Sequence, residues 1–109
     1  EIPQTLDEGL EVVPGKVINI FSEQQLSNVM KVANGGPVVM FFSAGWCRMC
    51  KFLKPWYGKE AEKYSNAFFL RVDSKKGAKL VDTLKVETVP TFITFKQGVQ
   101  VERHQTSNK

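Results

Sequence analysis

Residues 46–51 read Trp-Cys-Arg-Met-Cys-Lys and contain the only two cysteines of the 109-residue chain. Two thiols three positions apart are able to close a small disulfide ring or to bind a metal ion. The preceding run, 38–42, is apolar without alternation and predicts a strand buried on both faces. The run that follows, through Tyr64, has helical periodicity. The cysteines therefore lie where a strand passes into a helix, beside free N–H groups and the positive end of a helix dipole, which stabilise a reactive thiolate.

The composition predicts one soluble globular domain. Apolar residues make up 42% of the chain and charged residues 24%, which is ordinary for such a domain. No apolar run approaches the roughly 20 residues that a membrane-spanning helix needs. We therefore expect no membrane span.

The net charge of +4 comes from lysines and arginines scattered along the chain. Several of the lysines share a predicted helix with Glu60 and Glu62, as on a solvated helix face. No arginine cluster alternates with aromatic residues, so nucleic acid is not an expected partner. The weak positive field favours acidic partners instead.

A metal site is not expected. A zinc site needs about four ligands, and the single histidine, His104, lies far along the chain from the cysteines. The sequence predicts no other cofactor. Redox chemistry therefore remains the better interpretation of the cysteine pair.

The predicted organisation is an N-terminal extension, residues 1–15, followed by a single domain, residues 16–109. The extension contains two prolines and two glycines and has little periodicity. In the domain, turn residues separate segments of strand and helix periodicity in the order βαβαβαββ, with parallel crossovers first and a hairpin last. The predicted strands are 16–21, 38–42, 67–72, 91–95 and 99–103, and the predicted helices run from Ser22 to Asn34, over 47–64 and over 75–85.

This pattern resembles the thioredoxin family over residues 16–106. The matching features are the Trp-Cys-x-x-Cys-Lys motif, Pro55 five positions after the second cysteine, the Thr-Val-Pro-Thr run at 88–91, which is similar to the family's cis-proline loop, and the hairpin turn at 95–98. The resemblance implies a thioredoxin fold, an α/β fold with a central mixed β-sheet flanked by helices. It also implies thiol–disulfide exchange.

The resemblance assigns a role to each matching residue. Cys47 corresponds to the attacking thiol and Cys50 to the resolving thiol, which breaks the mixed disulfide formed in the first step. Pro90, if its peptide bond is cis, lies beside the sulfurs and prevents metal capture. The backbone of Val89 then pairs with an extended substrate, and Trp46 shields the disulfide and forms part of the docking surface.

Three features depart from the family pattern. Arg48 and Met49 separate the cysteines, where ordinary thioredoxins have Gly-Pro. This is similar to some plant and algal organellar members and favours an organellar, chloroplast location over a cytoplasmic one. Phe41 stands where the family has a buried aspartate that moves protons for the resolving thiol. The chain ends at Lys109, before the family's last helix, although residues 106–108 resemble a helix cap, so we expect that helix to be lacking here.

Three more residues are interpreted without a catalytic role. Arg71, at the position of the family's buried lysine, is expected to be a strand residue whose guanidinium reaches the surface. Asp73 is expected to cap the following helix. His104 is expected to be a hairpin side chain. Arg48, by contrast, is expected to influence the thiolate.

Two functions follow. The first is a thiol–disulfide oxidoreductase that acts on protein disulfides and is reduced by an upstream thiol reductase. The second is a thioredoxin-fold structural or regulatory subunit of a larger complex, with little turnover of its own. Phe41, the missing helix and the 1–15 extension favour the second, whereas the intact pair of cysteines favours the first.

Overall fold

The computed structural model describes residues 12–105, which form five strands and three helices in the predicted order. Predictions for residues 1–11 and 106–109, including the helix cap at 106–108, lie outside the described residues. Val12 is partly buried against the core, while the domain boundary at residue 15 stays a prediction. The elements are β1 (Val17–Ile20), α1 (Glu23–Ala33), β2 (Val38–Ser43), α2 (Arg48–Lys63), β3 (Phe68–Asp73), α3 (Ala78–Thr83), β4 (Thr91–Lys96) and β5 (Val99–Gln105).

The strands form one mixed sheet in the order β1-β3-β2-β4-β5. Pairing of β1 and β2 with β3 is parallel, whereas β4 is antiparallel to both β2 and β5. Since β2 is the central strand, all of its residues except Val39 are buried, as the unbroken apolar run predicts. The β4–β5 hairpin turns through Gln97 and Gly98, both with positive φ (54° and 74°), which suits a two-residue turn.

Helix α1 begins and ends at the predicted residues. The Ser22 side chain accepts the N–H of Gln25 at 3.1 Å, and the Gln25 side chain accepts the N–H of Phe21 at 2.7 Å. This is close to a capping box, with the return bond made one residue earlier. Asn34 ends the helix in the left-handed region, and its N–H bonds to the carbonyl of Met30.

Helix α2 is fixed to the sheet by Tyr57, a fully buried side chain. Its hydroxyl lies 2.6 Å from the carbonyl oxygen of Leu70 and 3.1 Å from that of Val39, so its proton is shared between two strands. Its ring meets Phe41 edge-on, with centroids 4.9 Å apart, and Phe69 at 5.3 Å. Burial raises the pKa of Tyr57 well above its usual value, outweighing the bond to Leu70.

The prediction that Asp73 caps α3 is wrong. Its carboxylate accepts the N–H groups of Lys75 and Lys76, at 2.9 and 3.1 Å, in the turn before the helix. Those bonds, the Lys76 bond above all, lower the pKa of Asp73. The N-cap position is Gly77, where a Cβ would lie only 2.5 Å from a methyl carbon of Val72. A capping side chain therefore has no room there, and the polar residue stands one turn earlier.

Candidate active site

Cys47 and Cys50 form a disulfide at the start of α2, with Cα atoms 5.3 Å apart. Cys47 is the N-cap residue, with extended backbone dihedrals, and its sulfur accepts the N–H of Cys50 at 3.1 Å. Cys50 lies inside the first turn. Both are nearly buried, at 5% and 3% exposure. The first sulfur therefore occupies the place where a helix stabilises negative charge through a free N–H and its dipole.

The charges around the disulfide are basic. Arg48 is the first residue of α2, and Lys51 and Lys54 follow within the next two turns. The first turn of the helix contains no acidic residue, and none occurs along it before Glu60. The local field therefore adds to the helix dipole and favours a thiolate at the helix start.

The cis-proline loop lies beside the end of the central strand. The Val89–Pro90 peptide bond is cis, as the resemblance implies, and both residues are buried. The Thr91 hydroxyl donates to the carbonyl oxygen of Thr88 at 2.6 Å and closes the loop. Thr91 pairs with Phe42 on β2, just before the cysteine loop begins. The sheet thus brings the cysteine segment and the cis-proline segment, about 40 residues apart in the chain, to the same end of β2.

Trp46 is the most exposed large apolar side chain of the described part of the chain, at 79%. It borders a cleft of about 210 Å³ whose walls also include Val86, Glu87 and Val89. Trp46 also lines a second cleft, together with Asp73 and neighbouring residues. The structure therefore brings Trp46 and Val89, two of the predicted docking residues, to the same cleft.

Phe41 is fully buried in an aromatic cluster. Its ring stacks on Phe92, with centroids 4.7 Å apart and planes 6° from parallel, and meets Tyr57 edge-on. Arg71 is its neighbour in the parallel register of β3, and the guanidinium donates to Asn19 on β1 at 3.2 Å. At position 41, where the resemblance implies a buried carboxylate, this chain therefore has a phenyl ring packed in an aromatic cluster. The prediction that the Arg71 guanidinium reaches the surface is confirmed, because its hydrogen bond to Asn19 is exposed. The Nε atom of the same side chain is buried and has no hydrogen-bond partner among the described residues.

Two features of the site escape sequence reasoning. Ser43, at the end of β2, is 2% exposed, and its hydroxyl has no partner among residues 12–105. In the sequence, the one sign that Ser43 lies on the same face of the sheet as Phe41, the face that contacts α2, is the spacing of two positions between them. On that face, Trp56, Phe92 and His104 help to line a cleft of about 430 Å³. His104 lies on the hairpin strand β5, as predicted, and also borders this cleft.

Within residues 12–105, no group of three or more His, Cys, Asp or Glu side chains is close enough to hold a metal ion. No helix in that range is long and apolar enough to cross a membrane.

Two sulfurs held in this way, one at a helix start and one a turn inside, are suited to exchange between a disulfide and a dithiol. That chemistry places the chain in the class of thiol–disulfide oxidoreductases. The protein-family model for thioredoxin matches residues 17–109. Human thioredoxin is 37% identical over 93 residues, which cover 85% of this chain and 89% of the human chain.

Solved structures agree with this class. Thioredoxin f from spinach chloroplast, in its short form, superposes with a TM-score of 0.80 at 31% identity, covering 88% of this chain and 86% of that one. A ferredoxin:thioredoxin reductase–thioredoxin f2 complex matches with a TM-score of 0.81 at 27% identity, with 87% and 86% coverage. This chain belongs to the thioredoxin family and is a thiol–disulfide oxidoreductase. The predicted fold is confirmed, and the alternative of a subunit with little turnover finds no support in these matches.

Proposed function

We propose that this chain exchanges disulfides with other proteins, with Cys47 as the attacking thiol and Cys50 as the resolving thiol. The observation that carries the assignment is the bond from the Cys50 N–H to the Cys47 sulfur at the N-cap of α2. This bond strengthens when the sulfur is ionised, because charge-assisted hydrogen bonds are the stronger ones. Cys50 is enclosed in the helix and is suited to act second.

The two steps transfer two electrons to the substrate. The Cys47 thiolate attacks one sulfur of the substrate disulfide, that bond breaks, and the departing substrate thiolate takes up a proton. Cys50 then loses its proton and attacks the Cys47 sulfur, which releases the second substrate thiol. The substrate is reduced to a dithiol and the chain is left with the Cys47–Cys50 disulfide.

Substrate binding is proposed at Val89, Pro90 and Trp46. The backbone of Val89, preceding the cis bond, is the candidate partner for an extended substrate segment, and Trp46 lines the same cleft. Arg48 is proposed to favour the thiolate, and Phe41 to slow the second step by leaving Cys50 without a nearby carboxylate. The cleft shared by Trp46 and Val89 supports the docking assignment.

An upstream thiol reductase is proposed to regenerate the dithiol. The support is the structural match to thioredoxin f2 in its complex with ferredoxin:thioredoxin reductase. A chloroplast location is proposed on that match and on the match to spinach thioredoxin f. Mammalian thioredoxins are among the matched sequences, so sequence similarity by itself assigns no compartment.

Trapping of a mixed disulfide tests these roles. Cys50→Ser should accumulate a covalent complex with insulin or with another protein that contains a disulfide, whereas Cys47→Ser should accumulate none. Both variants should lose turnover in an insulin reduction assay. Complexes trapped by Cys47→Ser instead would reverse the two roles, and full turnover by either variant would contradict the mechanism.

A further inference from the structure

Helix α2 exposes large apolar side chains along the surface that begins at the disulfide. Phe52 is 77% exposed, Met49 50% and Trp56 48%. Their spacing of three and four positions puts them on one face of the helix, and we call this set the α2 row. A contiguous exposed apolar surface is uncommon on a soluble domain and usually marks a place of contact.

The α2 row has a basic border. Arg48 precedes Phe52 by one turn on the same side of the helix, and Lys59 follows it by two turns. Both are exposed, as are the lysines at 51 and 54, and no acidic residue occurs between Trp46 and Lys59. A partner that covers the row therefore gains from negative charges at its edges.

The chemistry of the row matches that of protein interfaces. Aromatic residues, methionine and arginine are enriched in such interfaces, and the row with its border contains all three types. Trp56 packs edge-to-face on Phe92, with centroids 6.0 Å apart and planes at 85°. The far end of the row is thus anchored on the sheet. Met49 at the near end is unbranched and adapts to different contacts.

The α2 row begins beside the disulfide, and this position determines which part of a substrate protein contacts the row. Met49 lies between the two cysteines, and Phe52 follows Met49 by three residues on the same face of the helix, about 4.5 Å along its axis. A substrate protein whose disulfide approaches Cys47 must place its flanking residues beside this helix start. The row is therefore continuous with the disulfide site, on α2 rather than on the side of the Val89 cleft.

We propose that the α2 row is a second docking surface, which binds the residues flanking the disulfide of a substrate protein. Its partner is a segment with an apolar or aromatic side chain next to acidic ones. The proposal rests on the proposed function of the site and deepens it. It makes Phe52 the main specificity-determining residue, since it is the most exposed side chain of the row.

Matched disulfide peptides test the proposal. Two cyclic peptides would share one disulfide ring and differ in their flanks, Glu and Phe in one, Lys and Ser in the other. Hydroxyethyl disulfide, which has no flanks, serves as the reference substrate for each protein variant. The variants are Phe52→Gln, the conservative Phe52→Trp, and the control Val32→Gln, which changes a 53%-exposed residue on α1.

Wild type should reduce the Glu/Phe peptide about tenfold faster than the Lys/Ser peptide, judged by kcat/KM relative to the reference substrate, since a good interface contact is worth a factor of that size. Phe52→Gln should abolish most of this preference, whereas Phe52→Trp and Val32→Gln should keep it. Equal rates on both peptides in wild type, an unchanged preference in Phe52→Gln, or its loss in Val32→Gln would each overturn the proposal. Failure to reduce even the reference substrate would overturn the proposed function as well, so the two failures are distinguishable.

Discussion

The ring of Phe41 on β2 lies face to face with the ring of Phe92 on the adjacent strand β4, with centroids 4.7 Å apart. The two residues are direct partners in the antiparallel register. Tyr57 closes the cluster from α2, the helix that begins at the cysteines. The position that the family fills with a proton-accepting carboxylate therefore attaches the catalytic helix to the sheet. Phe41 therefore supplies packing at the position where a carboxylate would supply proton transfer.

The first prediction concerns the order of thiol reactivity. In the reduced protein, Cys47 should be alkylated by iodoacetamide well before Cys50, because it lies at the N-cap of α2 beside Arg48, whereas Cys50 lies inside the first turn of the helix. Peptide mass spectrometry after short exposure near neutral pH measures the order. Equal labelling of the two cysteines would contradict the assignment of Cys47 as the attacking thiol.

The second prediction concerns the reduction potential. Arg48 should stabilise the thiolate and so the reduced form, which raises the potential above about −270 mV, the usual thioredoxin value. Arg48→Gln should lower it by about 10 to 20 mV, the effect of one exposed charge. Equilibration with glutathione buffers measures both values, and Lys31→Gln on α1 is the control. A wild-type potential at or below that thioredoxin value would contradict the prediction, and an unchanged potential in Arg48→Gln would show that Arg48 has no such effect.

The third prediction concerns Tyr57. Tyr57→Phe keeps the ring contacts but removes the proton shared by the carbonyl oxygens of Leu70 and Val39. The free energy of unfolding at neutral pH should fall by about 1 to 2 kcal/mol. Denaturant unfolding measures this change. The control is Tyr64→Phe, which alters an exposed tyrosine at the C-terminal end of the same helix. A loss no larger than that of the control would mean that this bond does not stabilise the fold.

The pH dependence of the same comparison has a definite sign. Burial raises the pKa of Tyr57 in the folded protein above its unfolded value of about 10. The stabilisation is therefore fully present below about pH 10 and is lost as the pH rises, since the unfolded chain ionises first. The advantage of wild type over Tyr57→Phe should shrink above that pH. A constant difference through the alkaline range would contradict the shift.

Local signals explain why so much of the fold is predictable. The unbroken apolar run of β2, the Ser22 cap of α1 and the two-residue turn at Gln97 and Gly98 each depend on near neighbours in the sequence. The residues of the cysteine motif are likewise local. These elements are confirmed because their own side chains and dihedrals determine them.

Predictions that depend on distant contacts fare less well. The prediction of an Asp73 cap is wrong because α3 begins only at Ala78, with Gly77 at the N-cap position, a boundary that residue spacing does not reveal. β5 continues to Gln105, two residues beyond the predicted end, because its pairing with β4 continues to Thr91. The stacking of Phe41 on Phe92 depends on strand register, and 50 residues separate the two in the chain.

The last prediction concerns the missing carboxylate. Since a phenyl ring accepts no proton, Cys50 should ionise slowly in its apolar surroundings, and resolution of the mixed disulfide should limit turnover. Phe41→Asp should speed resolution about tenfold or more, since a positioned base contributes at least that much. Its cost is a few kcal/mol of stability, from losing the stacked ring and burying a carboxyl group. Arg71, beside position 41 in the register, offers that group a cationic neighbour.

Stopped flow separates this effect from a mere loosening of the core. A mixed disulfide formed at Cys47 under acidic conditions, where Cys50 stays protonated, is brought rapidly to neutral pH, and its decay is followed in wild type, Phe41→Asp and Phe41→Leu. Phe41→Leu removes the ring stacking without adding a base, so it should resolve no faster than wild type. If Phe41→Leu is accelerated as much as Phe41→Asp, then packing against Phe92 controls the second step. If wild type resolves at least as fast as a folded Phe41→Asp, the ring does not limit turnover, and Cys50 must lose its proton by another route.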